Sequence, residues 1–154
     1  MNFDFIKKEY IERFYDTLDK LDEKNRCNKR FVFVMILDKD NNVLSQGQNH
    51  PLSNENEFFT CPKTFTYDEH KKFQAYAEVH AEIDAITNCN RTDSHTLVVN
   101  YPPCADCLKA IINVGIKNLI ILQVDNGKDD GRYKYEKLEH VNRVLRFFDQ
   151  VILG

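Results

Sequence analysis

Two short stretches constrain this chain more than any other feature: Val79-His80-Ala81-Glu82 and Pro103-Cys104-Ala105-Asp106-Cys107. Together they read H-x-E, a gap of about two dozen residues, then P-C-x-x-C. One imidazole and two thiolates are three ligands for Zn²⁺, an ion that takes four in a tetrahedron. A catalytic zinc site leaves the fourth place to water, whereas a structural one is normally closed. Any fold open to this chain must therefore bring His80, Cys104 and Cys107 to one point, with Glu82 beside them. A purely structural zinc would need a fourth side-chain ligand and would leave Glu82 without a role.

Local spacing says how the convergence can happen. Cys104 and Cys107 are three apart, so one helical turn puts both sulfurs on the same side. Pro103 suits the entry to that helix. Thiolates there are stabilised by the free N–H groups and the positive dipole end. His80 and Glu82 are two apart and would diverge within a helix. They converge only if His80 lies at or before the first turn. Glu82-Ile83-Asp84-Ala85-Ile86 then continues as a helix with two acids at its start.

A chain of 154 residues suits a single domain over 1–154 with a full core. Its net charge of −3 gives no global attraction to nucleic acid or to an anionic membrane. No apolar run approaches the ~18 residues of a membrane span. Five cysteines raise the question of disulfides. The number is odd, two belong to the metal motif, and Met1-Asn2-Phe3-Asp4 lacks the basic-then-apolar build of a secretory signal. The expected location is a reducing cytoplasm, with Cys27, Cys61 and Cys89 as ordinary buried or half-buried thiols.

Along the chain, Phe3, Ile6, Tyr10, Phe14, Leu18 and Leu21 recur at helical spacing. Lys24, Arg26, Lys29 and Arg30 follow as a basic cluster, read as a solvated loop in preference to a phosphate contact. Phe31 to Leu37 is an unbroken apolar run, a strand covered on both faces. Asp38 to Asn42 has turn chemistry, and Val43 to Gly47 fits the returning strand of a hairpin. Pro51 is expected to block its continuation. Leu52 to Asp68 is irregular, and Tyr67 to Ala77 reads as a helix leading into the first motif. Thr96 to Asn100 and Asn118 to Val124 are strands flanking an apolar helix through Leu108, Ile111, Ile112 and Ile116. Leu138, Val141, Val144, Leu145 and Phe148 mark a last helix, and Val151 to Leu153 a terminal edge strand. The order α-β-β-α-β-α-β-α-β implies a three-layer α/β/α domain with the ligands at the carboxyl end of a strand.

The H-x-E and P-C-x-x-C pair is the signature of zinc-dependent nucleobase deaminases. The longer run from Pro103 to Lys117, P-C-x-x-C-x-x-x-I-x-x-x-G-I-K, resembles the zinc-dependent deoxycytidylate (dCMP) deaminases more specifically. The resemblance covers roughly Phe31 to Val124. It implies a cytidine-deaminase-like fold with a central five-stranded mixed sheet, one Zn²⁺ cofactor held by His80, Cys104 and Cys107, and Glu82 as the proton shuttle. It implies conversion of dCMP to dUMP and ammonia by attack of zinc-bound hydroxide. The Ala81 backbone N–H is expected to meet the pyrimidine carbonyl, and Asn49 the sugar or ring. Tyr101 is weighed equally between stacking on a base and packing in the core. A homo-oligomer is also implied. The family's glycine-rich G-Y-N-G is replaced here by Gln46-Gly47-Gln48-Asn49-His50-Pro51. Some relatives carry a second zinc, for which Cys61 and His70 lie in the matching region; their spacing alone is weak. His50, His95 and His140 read as surface or hydrogen-bonded histidines.

Other readings share the same zinc chemistry. The substrate could be a free base or nucleoside such as guanine or cytidine. It could be a base in tRNA or single-stranded DNA, which would need an electropositive track that the acidic pI of about 5.9 does not favour. A third class is a binding protein on the same fold without turnover, against which the intact ligands and Glu82 argue. Lys63, Lys71 and Lys72 are the nearby candidates for a substrate phosphate.

Overall fold

The computed structural model describes residues 2–22, 27, 30–53, 59, 62–89, 93–124 and 138–154. Helix α1 spans Phe3–Lys20, with Asn2 as its N-cap accepting a hydrogen bond from Phe5 N. Its Ile6, Tyr10 and Phe14 stripe is buried, as their helical spacing requires. Strands β1 (Phe33–Leu37) and β2 (Val43–Gln48) form the hairpin. In its turn, Asp38 Oδ1 accepts from the backbone N–H groups of Asp40 and Asn42, and Asn41 adopts a left-handed φ of 66°. That conformation suits asparagine.

The main sheet has the order β2-β1-β5-β6-β7, where β5 is Thr96–Val99, β6 is Asn118–Ile121 and β7 is Gln150–Leu153. Strand β1 runs antiparallel to β2 and β5, whereas β5, β6 and β7 are mutually parallel. This is the expected five-stranded mixed sheet with a terminal edge strand. Alternation along β1 divides the core. Phe33, Met35 and Leu37 pack with Ile6, Tyr10 and Phe14 of α1 on one face. Val34 and Ile36 pack on the other with Ala81 and Ala85 of α3 (Ala81–Thr87) and Leu108 and Ile111 of α4 (Ala105–Asn113). Phe148, just after α5 (Leu138–Leu145), joins that second cluster. The result is three layers, as the apolar runs predict.

Two features depart from expectation. His50–Pro51 is not merely the end of the hairpin strand. It forms a separate two-residue strand, β3, paired antiparallel with β4 (Glu78–Val79). Proline is tolerated because, among the described residues, this is a two-stranded piece in which the missing N–H breaks no central ladder. The bridge also divides the helical region before and after the first motif into α2 (Tyr67–Ala77) and α3. Helix α2 carries a capping box between Thr66 and Glu69, yet buries only His70. It stands beside the sheet as a wall and not as part of a layer.

Helix α4 ends with Gly115 at φ 92°, its N–H donating to Ile112 O while Ile116 N–H donates to Ile111 O. Glycine at this left-handed position closes the helix without a Cβ penalty. Gly47 on β2 has a different reason. A Cβ there would fall 2.5 Å from the Ala81 carbonyl oxygen and overlap Ala85 N, so strand and helix touch backbone to backbone. Because backbone yields less than a side chain, Gly47→Ala is expected to destabilise the domain by about 1–3 kcal/mol, read as a lowered urea midpoint.

Candidate active site

Helices α3 and α4 both start at the same place, and each begins on a candidate ligand. His80 is the N-cap of α3 at φ −70°, ψ 148°, and Cys104 is the N-cap of α4 at φ −69°, ψ 169°. Neither side chain caps its own helix. Extended dihedrals at His80 let imidazole and Glu82 share a side, the condition their spacing imposes. Cys107 lies one turn into α4.

His80 Nδ1 stands 3.3 Å from Cys107 Sγ and 3.6 Å from Cys104 Sγ. All three donor atoms lie within 4.8 Å of one another. A tetrahedral Zn²⁺ with ordinary Zn–S and Zn–N lengths has N···S edges of about 3.5 Å. The three residues therefore fit zinc with little adjustment. No fourth His, Cys, Asp or Glu joins the group among the described residues. Glu82 is beside it, 5% exposed.

Electrostatics point the same way. A hydrogen bond from Cys107 and the nearby His80 hold the Cys104 thiol down, to about 4. The same shared proton, followed by burial, pushes Cys107 up. One thiol ionises easily and the second resists, because Cys107 keeps the proton it shares with Cys104, is partly buried, and would add a second negative charge beside Glu82 and Cys104. A divalent cation removes that conflict, since coordinated thiols are deprotonated. Burial raises the Glu82 carboxyl, with Cys104 adding to the rise and His80 opposing it. Glu82 also contributes, after burial, to raising the Tyr10 hydroxyl, which donates to Phe33 O at 2.6 Å.

A cavity of about 280 Å³ adjoins the trio, lined by His80, Ala81, Glu82 and Cys104 and also by Asn49 and Tyr101. All seven residues singled out from the sequence thus belong to one region: six line the cavity, and Cys107 lies behind Cys104 at 1% exposure. Asn49 has work of its own there. Its Oδ1 accepts from Val32 N and its Nδ2 donates to Arg30 O. Tyr101 is 7% exposed, and the Arg30 guanidinium lies 3.7 Å over its ring. Of the three lysine candidates, only Lys71 lines the cavity.

Arg30, Cys27, Gln74 and Glu78 also line it, and none was picked out as a site residue by spacing. Cys27 is not an indifferent thiol. Its Sγ is 3.6 Å from His70 Nε2, which is 3.8 Å from Glu78 Oε2. The three form a second group of potential metal ligands. Glu78 Oε1 is buried with no hydrogen-bond partner among the described residues. Cys61 lies outside the described residues. Residues 27, 70 and 78 share no motif, and only the cysteine and histidine types themselves were a signal. His50 bonds Asp84 Oδ1 through Nε2, and His95 Nδ1 lies 3.2 Å from Thr96 Oγ1, as expected of hydrogen-bonded histidines. The side chain of His140 lies outside the described residues.

Comparison with known proteins agrees with this arrangement. Residues 8–123 match the family model of the cytidine and deoxycytidylate deaminase zinc-binding region. The deoxycytidylate deaminases of Enterobacteria phages T2 and T4 are each 40% identical over 55 residues. That stretch is 33% of this chain and 29% and 28% of those two proteins. The crystal structure of dCMP deaminase from the cyanophage S-TIM5 in complex with dCMP and dUMP superposes with a TM-score of 0.67 at 18% identity. It covers 100% of this chain and 99% of that one. Its apo form gives 0.63 at 15% identity, with both chains covered fully. These two establish the likeness of fold.

If the trio holds zinc as its geometry indicates, Cys107→Ala lowers the zinc retained after dialysis by about one equivalent per chain. Plasma emission analysis of the dialysed protein measures this directly.

Proposed function

As the chain belongs to the cytidine and deoxycytidylate deaminase zinc-binding family, we propose that it hydrolyses the amino group of a pyrimidine nucleotide, dCMP to dUMP and ammonia, as a single domain over 1–154. One observation carries the reading: three donor atoms within 4.8 Å, no fourth ligand group among the described residues, and a buried carboxyl at their side. Supporting it is the named activity of the phage relatives, which match this chain over 55 residues.

In this reading His80, Cys104 and Cys107 hold Zn²⁺ and Glu82 moves protons. Zinc, when bound, supplies a water acidified to a pKa near 7. Glu82 would take one proton of the attacking water at its carboxylate and give it to ring N3. It would then take the second proton from the oxygen newly bonded to C4 and give it to the departing amine, so that water and dCMP become dUMP and ammonia with no proton left over. The Ala81 N–H meets the pyrimidine carbonyl. Asn49 has one N–H beyond its bond to Arg30 O for a sugar or ring acceptor. Tyr101 shapes the wall beside them. The net charge of −3 supports a free nucleotide over a polynucleotide, and among the described residues no helix is long and apolar enough to cross a membrane. The cytoplasm and a homo-oligomeric form complete the proposal; exposed Phe147 and Leu153 offer apolar surface for association.

A panel of dCMP, CMP, deoxycytidine, cytidine, guanine and a cytosine oligonucleotide tests the substrate through absorbance change and ammonia release. The expected result is turnover of dCMP ahead of the rest; turnover of nucleosides without monophosphates would refute it. Glu82→Gln should keep its zinc yet lose about 10²–10⁴-fold in kcat.

The second zinc of some relatives has support at Cys27, His70 and Glu78, where a buried carboxylate oxygen lacks a hydrogen-bond partner among the described residues. Leaving such an oxygen unpaired is costly, and a cation would relieve it. Cys27→Ser is then expected to reduce zinc from about two equivalents per chain to about one and to lower Tm, while the Glu82-dependent turnover persists at moderate temperature.

A further inference from the structure

Asn49 lines the cavity, and its side chain is held at the entrance to β1 by Val32 N and Arg30 O. The residues on either side of Asn49 are held by a different group, the carboxylate of Asp84 in α3. Gln48 N donates to Asp84 Oδ2 at 3.1 Å, and His50 Nε2 meets Asp84 Oδ1 at 3.2 Å. One carboxylate thus brackets Asn49, with a bond just before it and a bond just after it. The His50 ring is oriented from both ends, since its Nδ1 lies 3.0 Å from Pro51 O.

The backbone of Asp84 reaches the metal ligands. Its N–H donates to His80 O at 2.9 Å, within the first turn of α3. Immediately before that cap, Val79 pairs with His50 in the β3–β4 ladder. Segment 48–50 is therefore tied to the residue preceding His80 and to the residue one turn beyond it. An acid near a helix start ordinarily complements the dipole. Asp84 has a more specific task, because its oxygens are taken up by β2, by β3 and by Asn88 Nδ2 at the far end of α3. Hydrogen bonds to a charged acceptor are stronger than neutral ones, and a side chain 19% exposed leaves water only partial access to compete for them.

We infer that Asp84 is a positioning residue: its carboxylate holds Asn49 in register with His80, so that the nucleotide contact and the metal ligand keep one spacing. This rests on the nucleotide-deaminase reading above, in which Asn49 meets the sugar or ring. The bond from Asp84 N–H to His80 O involves only backbone and survives truncation of the side chain. Removing the carboxylate therefore loosens segment 48–50 and leaves the zinc ligand in place. Its effect falls on substrate binding and not on the metal.

The test uses the full zinc-loaded chain and the variants Asp84→Ala, Asp84→Asn, His50→Ala, Asp84→Ala with His50→Ala, and Asn49→Ala. Zinc content, Tm, kcat and KM for dCMP are measured, with dUMP affinity by calorimetry, well below every Tm. Asp84→Ala is expected to raise KM and weaken dUMP about 5- to 30-fold. Its kcat should stay within about 3-fold of wild type, and its zinc content should equal wild type. Asp84→Asn should recover part of the affinity, because an amide oxygen still accepts from Gln48 N. The double variant should bind no worse than Asp84→Ala, since both changes remove the same bond. A lower Tm with unchanged KM in Asp84→Ala would overturn the assignment, leaving Asp84 a structural role. Loss of zinc in that variant, or losses that add in the double variant, would overturn it too. So would a wild-type KM in Asn49→Ala, because Asp84 would then have no contact to position. A wild type that leaves dCMP unchanged would instead sink the nucleotide reading. The same comparisons, run with whichever compound of the panel is turned over, then decide Asp84 separately.

Discussion

The meeting of two helix starts is the constraint on which the rest of this structure depends. N-cap positions are usually filled by short oxygen-bearing side chains that fold back on their own helix. Here the caps are an imidazole and a thiol, and neither bonds its own first turn. They reach across to each other at 3.6 Å. The unsatisfied N–H groups of a first turn favour negative charge nearby. Two first turns converge on a trio with two ionisable sulfurs, which suits both the thiolates and the cation that would balance them.

Holding α3 in register with α4 is the task of the hairpin. Gly47 lets β2 touch the α3 backbone where any Cβ would intrude. Around that contact, Ser45 Oγ donates to Ala85 O and Gln48 N donates to Asp84 Oδ2. His50 Nε2 meets Asp84 Oδ1 at 3.2 Å. The inner side of α3 is therefore bonded to β2 and β3 through named groups, not merely packed. From the other side, β5 leads through Asn100 and Tyr101 directly into the start of α4, so the sheet itself sets where the cysteines arrive. Asn100 also links this loop to the entrance of β1 and to the Tyr10 hydroxyl of α1. The α1 layer and the sheet thus both have a bond to the segment that precedes Cys104.

Much of this was legible from local pattern. The seven-residue apolar run ending at Leu37 had to be a strand with two covered faces, and both of its faces are buried. Tyr67 to Ala77 matches α2 residue for residue, and the structure adds a capping box between Thr66 and Glu69 at its start. The donor trio followed from three residues and one helical turn. The hairpin strand does end before Pro51; what local pattern does not carry is the small ladder that His50–Pro51 forms with Glu78–Val79. Local pattern also passed over Cys27 and Arg30, whose neighbours in sequence carry no period. Their meaning comes from His70, Glu78 and Tyr101, which lie far along the chain.

The sequence by itself therefore determined the donor chemistry, the helix starts that aim it, and the alternation that builds the layers. These depend on separations of two to four residues, over which backbone geometry leaves little choice. Only the tertiary structure decided that α2 would stand as a cavity wall, that Cys27 would face His70, and that an arginine before β1 would lie over Tyr101. Those contacts span tens of residues through irregular segments, and no backbone periodicity carries a position that far. They are set by how the packed layers leave space at the edge of the sheet.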